Sequence, residues 1–224
     1  MKKNNGLNEY YDERAPEYDD IYLGRSPGVP EPEAYRQDVE AVKKICSDFG
    51  RGHLIDIGCG TGYWLPYYAA NCMEITLVDQ SRSMLIECQK KAKESLESEK
   101  VHFVKGDFFT IRFLSKIFDC AVIAFLISHL AEDDESIFFK KLKMIMKSEA
   151  DVLWIDSSWS QLRSKYRDKE GYQKRVLRDG RSFSIFKRYF EESDVQAVLR
   201  KHSLRLRSLY MGDVFFAANA ALRH

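Results

Sequence analysis

A chain of 224 residues is long enough to bury one substantial α/β core and short for two. Its 35 basic and 34 acidic residues leave a formal charge of +1, so whole-molecule charge draws it to no polyanion, and no apolar run approaches the ~20 residues of a membrane helix. MKKNNGLNEYYDER lacks the apolar centre of a secretory signal, which makes the cytoplasm the expected compartment.

Residues 1–31 are polar and rich in tyrosine, and four of the five prolines fall between 16 and 32, so GRSPGVPEPE reads as an extended link. Pro32 suits a first helical position, and Ala34, Val39, Val42 and Ile45 carry a helix to about Phe49. HLIDI is a strand, GYWLPYYAANC a helix and EITLVD a strand. SRSMLIECQKKAKESL is a helix with Met84, Leu85, Cys88 and Ala92 on one face. VHFVKGD is a strand, and IFDCAVIAFLI is apolar throughout, as in a strand buried on both faces. DESIFFKKLKMIMK is a helix with acids at its N-terminal end, and DVLWID a fifth strand. SDVQAVLRK is expected to open on a capping box of Ser193 with Gln196 and to close near His202. LRLRSLYM and VFFAANAAL flank Gly212-Asp213 as antiparallel strands.

Five strand–helix units ending in a hairpin predict an α/β fold: a doubly wound, seven-stranded, mostly parallel sheet with a C-terminal antiparallel hairpin. Such a sheet binds ligands beyond the carboxyl ends of its strands, where the winding reverses. That rule gathers Gly58, Asp79, Asp107 and the segment after Ile123 around one crevice. In IDIGCGTGYW, Gly58, Gly60 and Gly62 admit positive φ and let backbone approach a ligand closely. A dinucleotide loop needs a third glycine where this chain has Tyr63, which argues against a pyrophosphate there. Cys46, Cys59, Cys72, Cys88 and Cys120 are scattered, never spaced C-x-x-C, and are expected to be reduced and mostly buried, with no metal site.

With LVDQS, GDFF and FDCAVIAFLISHL following in order, the loop resembles class I S-adenosylmethionine-dependent methyltransferases over about residues 50–157. The resemblance implies a Rossmann-like fold and S-adenosylmethionine as cofactor. It implies that Asp56, Gly58, Cys59, Gly60 and Gly62 surround the cofactor loop, that Asp79 takes both ribose hydroxyls, and that Asp107 reads the adenine amino group with Phe108 beside the ring. Gln80, Met84 and Ala124 complete the implied cofactor set. His129, in ISHL after the fourth strand, is the candidate base if the acceptor must lose a proton, because an unperturbed histidine has a pKa near ~6.5. The family often places a histidine here, facing the methyl group. No carboxylate follows the fourth strand until Glu132, so transfer is expected to be metal-independent. The chain has no adjacent prolines, unlike DNA amino-methyltransferases, and Cys120 lies inside an apolar strand rather than in a site.

Two additions to the common sheet are expected to choose the substrate. The segment 1–31 resembles a lid, with Tyr11 and Tyr18 as candidate catalytic residues and Arg14 near the cofactor's carboxylate. The second addition, 158–190, carries a W…RVLRDG…KRYF pattern similar to small bacterial methyltransferases of unassigned substrate. Residues 161–188 hold ten Lys/Arg against three Asp/Glu. Trp159, Tyr172, Arg175, Lys187, Arg188 and Tyr189 are the candidate pocket for an anionic acceptor. The same strip laid on RNA phosphates and bases is the alternative. The expectation is one domain spanning 1–224, built as lid, cofactor core (50–157) and insertion, which methylates a small molecule and has no membrane partner. RNA methylation and non-catalytic cofactor binding are the rival readings.

Overall fold

The computed structural model describes residues 5–26, 30–95 and 98–222. Residues 1–4 of the leader, 27–29 of the expected link and Leu96 at the end of one expected helix lie outside the described residues. The expected sheet forms. Strands β1 (His53–Ile57), β2 (Glu74–Asp79), β3 (Val101–Lys105), β4 (Phe118–Ala124) and β5 (Met146–Ser157) pair in parallel, and β8 (Leu204–Met211) and β9 (Phe215–Leu222) add antiparallel, giving the order β3-β2-β1-β4-β5-β9-β8. The register sets Ile57 beside both Val78 and Ile123, so the ends of β1, β2 and β4 are level at the reversal of winding.

Alternation along the strands divides the core into two layers. Leu54, Ile75, Leu77, Val122 and Leu153 pack under α2 (Pro32–Ser47), α3 (Leu65–Tyr68) and α4 (Arg82–Ser95). Ile55, Ile57, Val78, Ile123 and Trp154 face α5 (Glu132–Ile145) and α6 (Glu192–Lys201). Each such side chain stabilises the fold by about 1.5–3 kcal/mol on burial. All five cysteines are free and buried.

Three local expectations are corrected. GYWLPYYAANC is not one helix: α3 has a single turn, a 3-10 turn follows at Ala69–Asn71, and the Asn71 amide ends it by donating to the carbonyls of Ser47 and Phe49. The box capping α6 is Glu191 with Asp194, not Ser193 with Gln196. Phe190 is held extended by its N–H bond to the Ser157 carbonyl, so the chain first turns at Glu191, and Gln196 is left to bond Glu192. On α2 the buried stripe is Tyr35, Asp38, Val39, Val42 and Cys46, with Ala34 and Ile45 only half-buried.

The two additions acquire structure of their own. The leader forms α1 (Asn5–Arg14) and a 3-10 turn at Ala15–Ile21, and the insertion forms an antiparallel hairpin of β6 (Glu170–Val176) and β7 (Ser182–Arg188). They meet in a small cluster of Tyr10, Leu177 and Ile185, with Tyr10 and Phe183 ring centroids 5.5 Å apart.

Candidate active site

The glycine loop is fastened to β2. Gly58 and Cys59 N–H groups donate to the Val78 carbonyl at 2.8 and 3.0 Å. The Asp79 carboxylate accepts from Gly60 N at 2.9 Å and Ser81 N at 2.8 Å, bridging the loop and the start of α4. Burial pushes Asp79 up to about 6 against the pull of these bonds. Gly60 has φ +55°, and an added Cβ there would meet nothing within 4 Å; at Gly62, φ +72°, it would lie 2.5 Å from Cys88 Sγ. Gly62 therefore serves helix packing, whereas Gly60 leaves space beside the loop.

The other expected cofactor residues are placed unequally. Buried Asp56 accepts from Tyr68 OH at 2.6 Å, and its Oδ1 has no partner. Burial pushes it up to about 7. Asp107 is half-buried and accepts from Phe109 N at 2.9 Å, while Phe108 packs into the core, 5.0 Å from the Phe138 ring. Met84 is buried, Gln80 is exposed, and Ala124 ends β4 half-buried.

The N-terminal segment docks on this loop. Asp12 accepts from Ser81 Oγ at 2.6 Å, and Asp19 accepts from Thr61 Oγ1 at 2.5 Å and pairs with Lys91 at 2.7 Å. Tyr22 stacks on Tyr63 at 4.1 Å, so the aromatic standing where a dinucleotide loop has glycine is a platform for the N-terminal segment.

After β4, Phe125 adopts φ +56° and a 3-10 turn carries His129 back over the sheet. The Phe186 carbonyl can only accept, so His129 Nδ1–H donates to it at 2.7 Å, leaving the Nε2 lone pair to accept from Tyr11 OH at 2.8 Å. Tyr18 lies edge-on to Tyr11 at 5.9 Å, and Arg14 stands over the Tyr18 ring at 5.0 Å. Burial, then the charge of Lys187, pushes His129 down to about 3. The imidazole is thus neutral and a far weaker base than the free side chain assumed from sequence.

Between α1, the hairpin and the ends of β4 and β5 lies a cavity of about 320 Å³. Six cations line it: Arg14, Arg163, Arg167, Lys174, Arg175 and Lys187. Lys187 is buried against Asp156 at 3.2 Å and also donates to Ser128 Oγ. Arg163 donates to the carbonyls of Ser158 and Val214 and lies 4.7 Å from the Tyr189 ring centroid. Arg175 donates to Tyr189 OH at 3.2 Å, and that hydroxyl donates to Gln173 Oε1 at 2.9 Å. Of the pocket expected from sequence, Arg175, Lys187 and Tyr189 line this cavity. The other three do not. Tyr172 is 74% exposed, Arg188 pairs with Glu135 over the Phe190 ring, and Trp159 sits behind Tyr189 at 6.2 Å. Strand alternation turns Arg188 away from Lys187, but it does not by itself account for Tyr172, since Lys174 shares the Tyr172 face and still lines the cavity.

Sequence reasoning missed Tyr10, Tyr22, Tyr35, Arg163 and Arg167 as cavity residues. Tyr10 and Tyr22 come from the leader, Tyr35 from α2, and Arg163 and Arg167 precede the hairpin, so no single local pattern brings them together. Among the described residues, no three His, Cys, Asp or Glu side chains converge as a metal-holding group. No helix among them is long and apolar enough to cross a membrane.

Residues 54–167 match the family model described as a methyltransferase domain. No curated protein matches the chain in sequence. Among solved structures it is similar to the DhpI–SAM–HEP complex, at 21% identity over 96% of both chains and TM-score 0.73. It is similar to the DhpI–SAH complex at 21% identity, over 96% of this chain and 95% of that one, with TM-score 0.70. A SAM-dependent methyltransferase from Aquifex aeolicus aligns at 19% identity over 95% and 98% of the two chains, with TM-score 0.63. These structural likenesses carry the fold.

Proposed function

The chain belongs to the methyltransferase-domain family, and from that premise we propose that it transfers the methyl group of S-adenosylmethionine to a small anionic acceptor without a metal ion. The residues present suit the cofactor: open space beside Gly60, a carboxylate at Asp79 already placed as an acceptor, and Asp107 at the end of the neighbouring strand. The similar DhpI complexes with SAM and SAH support the same assignment. When bound, the cofactor supplies an electrophilic methyl group on a sulfonium sulfur. Asp79 would take the ribose hydroxyls in charge-assisted bonds, and the Gly58–Gly62 backbone and Asp56 would surround the amino-acid end. Met84, Gln80, Cys59, Ala124, Asp107 and Phe108 complete the proposed set.

The observation that carries the acceptor class is the cavity of cations beside His129 Nε2. His129 holds its Nδ1 proton on Phe186, so Nε2 orients a hydroxyl, either that of Tyr11 or that of an acceptor taking its place. A negative charge entering the cavity offsets Lys187 and raises the basicity of that nitrogen. Tyr11, Tyr18 and the rest of the seated leader exclude water, and alignment in such a site is worth up to ~7–11 kcal/mol. Three of the insertion's outward cations are already engaged: Arg178 with Asp20 and Glu17, Arg181 with Glu13 and Asp179, Lys169 with Glu191 and Asp194. Such engagement favours a small acceptor over RNA, and the cytoplasm is the compartment this reading assigns.

Methyl-labelled S-adenosylmethionine, incubated with the protein and host extract, tests the reading. Label is expected in the metabolite fraction. Label in RNA or protein instead would overturn the small acceptor, and tight S-adenosylhomocysteine binding with no label in any fraction would favour a non-catalytic binder.

A further inference from the structure

Resting on the methyl-transfer reading, we propose that the acceptor is a dianion with no ammonium group, its charge met by Arg14 of α1 together with Arg163, Arg167 and Arg175 of the 158–190 segment. Among the described residues, none of these four, nor Lys174, has a carboxylate within 4 Å. Their partners are neutral. Arg14 donates to Tyr10 OH, Arg163 to two carbonyls and Tyr35 OH, Arg167 to the Tyr166 carbonyl, and Arg175 to Tyr189 OH. Arg163 is buried and Arg14, Arg167 and Arg175 are half-buried. Cationic groups partly withdrawn from water without a counter-charge are costly, and a monoanion would leave most of this charge unmet. Guanidinium forks also match carboxylate and phosphate oxygens in paired bonds.

The same walls exclude a substrate ammonium. Among the described residues, Glu17 is the only carboxylate lining the cavity, and it is engaged by the backbone N–H and side chain of Arg178. Asp156, just beneath, is engaged by Lys187 and by Ser128 N. The cavity favours negative charge on its own account. Burial pushes the Tyr189 hydroxyl up, yet Arg175, Arg163 and Lys187 together bring it below its ordinary value.

The charge also couples the two walls. Arg14 and Arg175, from segments far apart in sequence, both act on Tyr10 and Tyr11. A dianion between them reads both at once, and Arg14 reaches it only while Asp12 keeps α1 seated on Ser81. Arg14 is then a specificity residue delivered by the leader.

Calorimetric titration of the full chain at pH 7.5 and constant ionic strength, with and without S-adenosylhomocysteine, tests this with four probes. Succinate and inorganic phosphate are the dianions, butyrate the monoanion and 4-aminobutyrate the zwitterion. At least one dianion is expected to bind about tenfold more tightly than butyrate, with 4-aminobutyrate weakest. If succinate wins, the charges sit on two carboxylates; if phosphate wins, on one tetrahedral group. Arg175→Gln and Arg14→Gln should each weaken the dianion about tenfold, Arg175→Lys should restore part of the loss, and all three should keep the wild-type melting temperature. Butyrate or 4-aminobutyrate equal to both dianions, or dianion affinity unchanged in both Gln variants, would overturn the proposal. Failure of S-adenosylhomocysteine to bind, read in its own titration, would overturn the methyl-transfer reading while the anion titrations still judged charge selectivity.

Discussion

Lys187→Met should destabilise the fold by about 3–5 kcal/mol, far beyond the loss of an ordinary ion pair. The ammonium and the Asp156 carboxylate are 3.2 Å apart with side chains 7% and 0% exposed. Burial pushes Asp156 up, but Lys187 and the bonds from Ser128 and Ser157 outweigh it, so the carboxyl is held below its usual range. Without Lys187 the carboxylate loses its counter-charge and keeps neutral donors, among them Ser128 N at 3.1 Å and Ser157 N at 2.8 Å. With a urea slope of about 2 kcal/mol/M, the unfolding midpoint should fall by about 2 M. The double variant Lys187→Met/Asp156→Leu should recover most of that loss, because an apolar pair of similar volume replaces two desolvated charges. An exposed pair is worth about 1 kcal/mol or less. A midpoint shift under about 0.5 M in the single variant, or a double variant as weak as the single, would therefore refute the desolvated-pair account. The same substitution should raise the pKa of His129, read by its ring proton resonances, since Lys187 is the second cause of its depression after burial.

His129 itself should make the fold acid-sensitive. Its folded pKa of about 3 lies below the unfolded value near ~6.5, so its contribution is complete above ~6.5 and lost as pH falls toward 3. His129→Asn should remove about 2 kcal/mol of the stability difference between pH 7 and pH 5, and an unchanged slope in urea midpoints would contradict this. Glu135 acts lower on the scale. Burial pushes it up, but His202 and Arg188 bring it to about 2, so its contribution is present above ~4.3 and lost as pH falls toward 2. Glu135→Gln should cost about 3 kcal/mol at pH 7 and flatten the acid limb between pH 4 and 2; equal limbs in both proteins would count against it. Gly62→Ala should lose about 2–4 kcal/mol from positive φ and overlap with Cys88 Sγ, and Cys88→Ala in the same chain should return only the overlap. Equal melting temperatures for Gly62→Ala and wild type would overturn that account.

The sheet was legible because strands buried on both faces read as apolar runs, IFDCAVIAFLI above all, and because glycine and aspartate mark their carboxyl ends. The glycine loop and Asp79 were legible for the same reason, being local in sequence. What was hidden is what distant segments do to one another. Tyr11 and His129 bond across 118 positions, and nothing local to ISHL announces that burial will suppress the basicity of the ring. The β6–β7 hairpin escaped because the cations that meet acids of the leader, Arg178 with Asp20 and Arg181 with Glu13, lie in its turn and pair with residues 158 and 168 positions away, which no local pattern announces. Counting charge over 161–188 located a cationic segment, but not that Lys174, Arg175 and Lys187 line the cavity while Tyr172 and Arg188 do not, which follows from how the hairpin packs on the leader.

The place of β9 between β5 and β8 constrains how the chain reaches this state. β5 pairs through Leu153–Asn219 and Trp154–Ala218, partners made roughly 60 residues later in synthesis. At ~5–20 residues per second, the β5 edge stands bare for about 3–12 s on the ribosome, an apolar strand with unpaired N–H and C=O groups of the kind that templates aggregation. In that interval the insertion and α6 have already been made, and β9 must thread home beside β5 with its neighbour β8. Asp38, accepting from the N–H groups of Val214 and Phe215, and Arg163, donating to the Val214 carbonyl, then tie down the start of the late strand. Yield of folded protein should therefore depend on the speed of this last pairing more than on the stability of the five parallel strands that precede it.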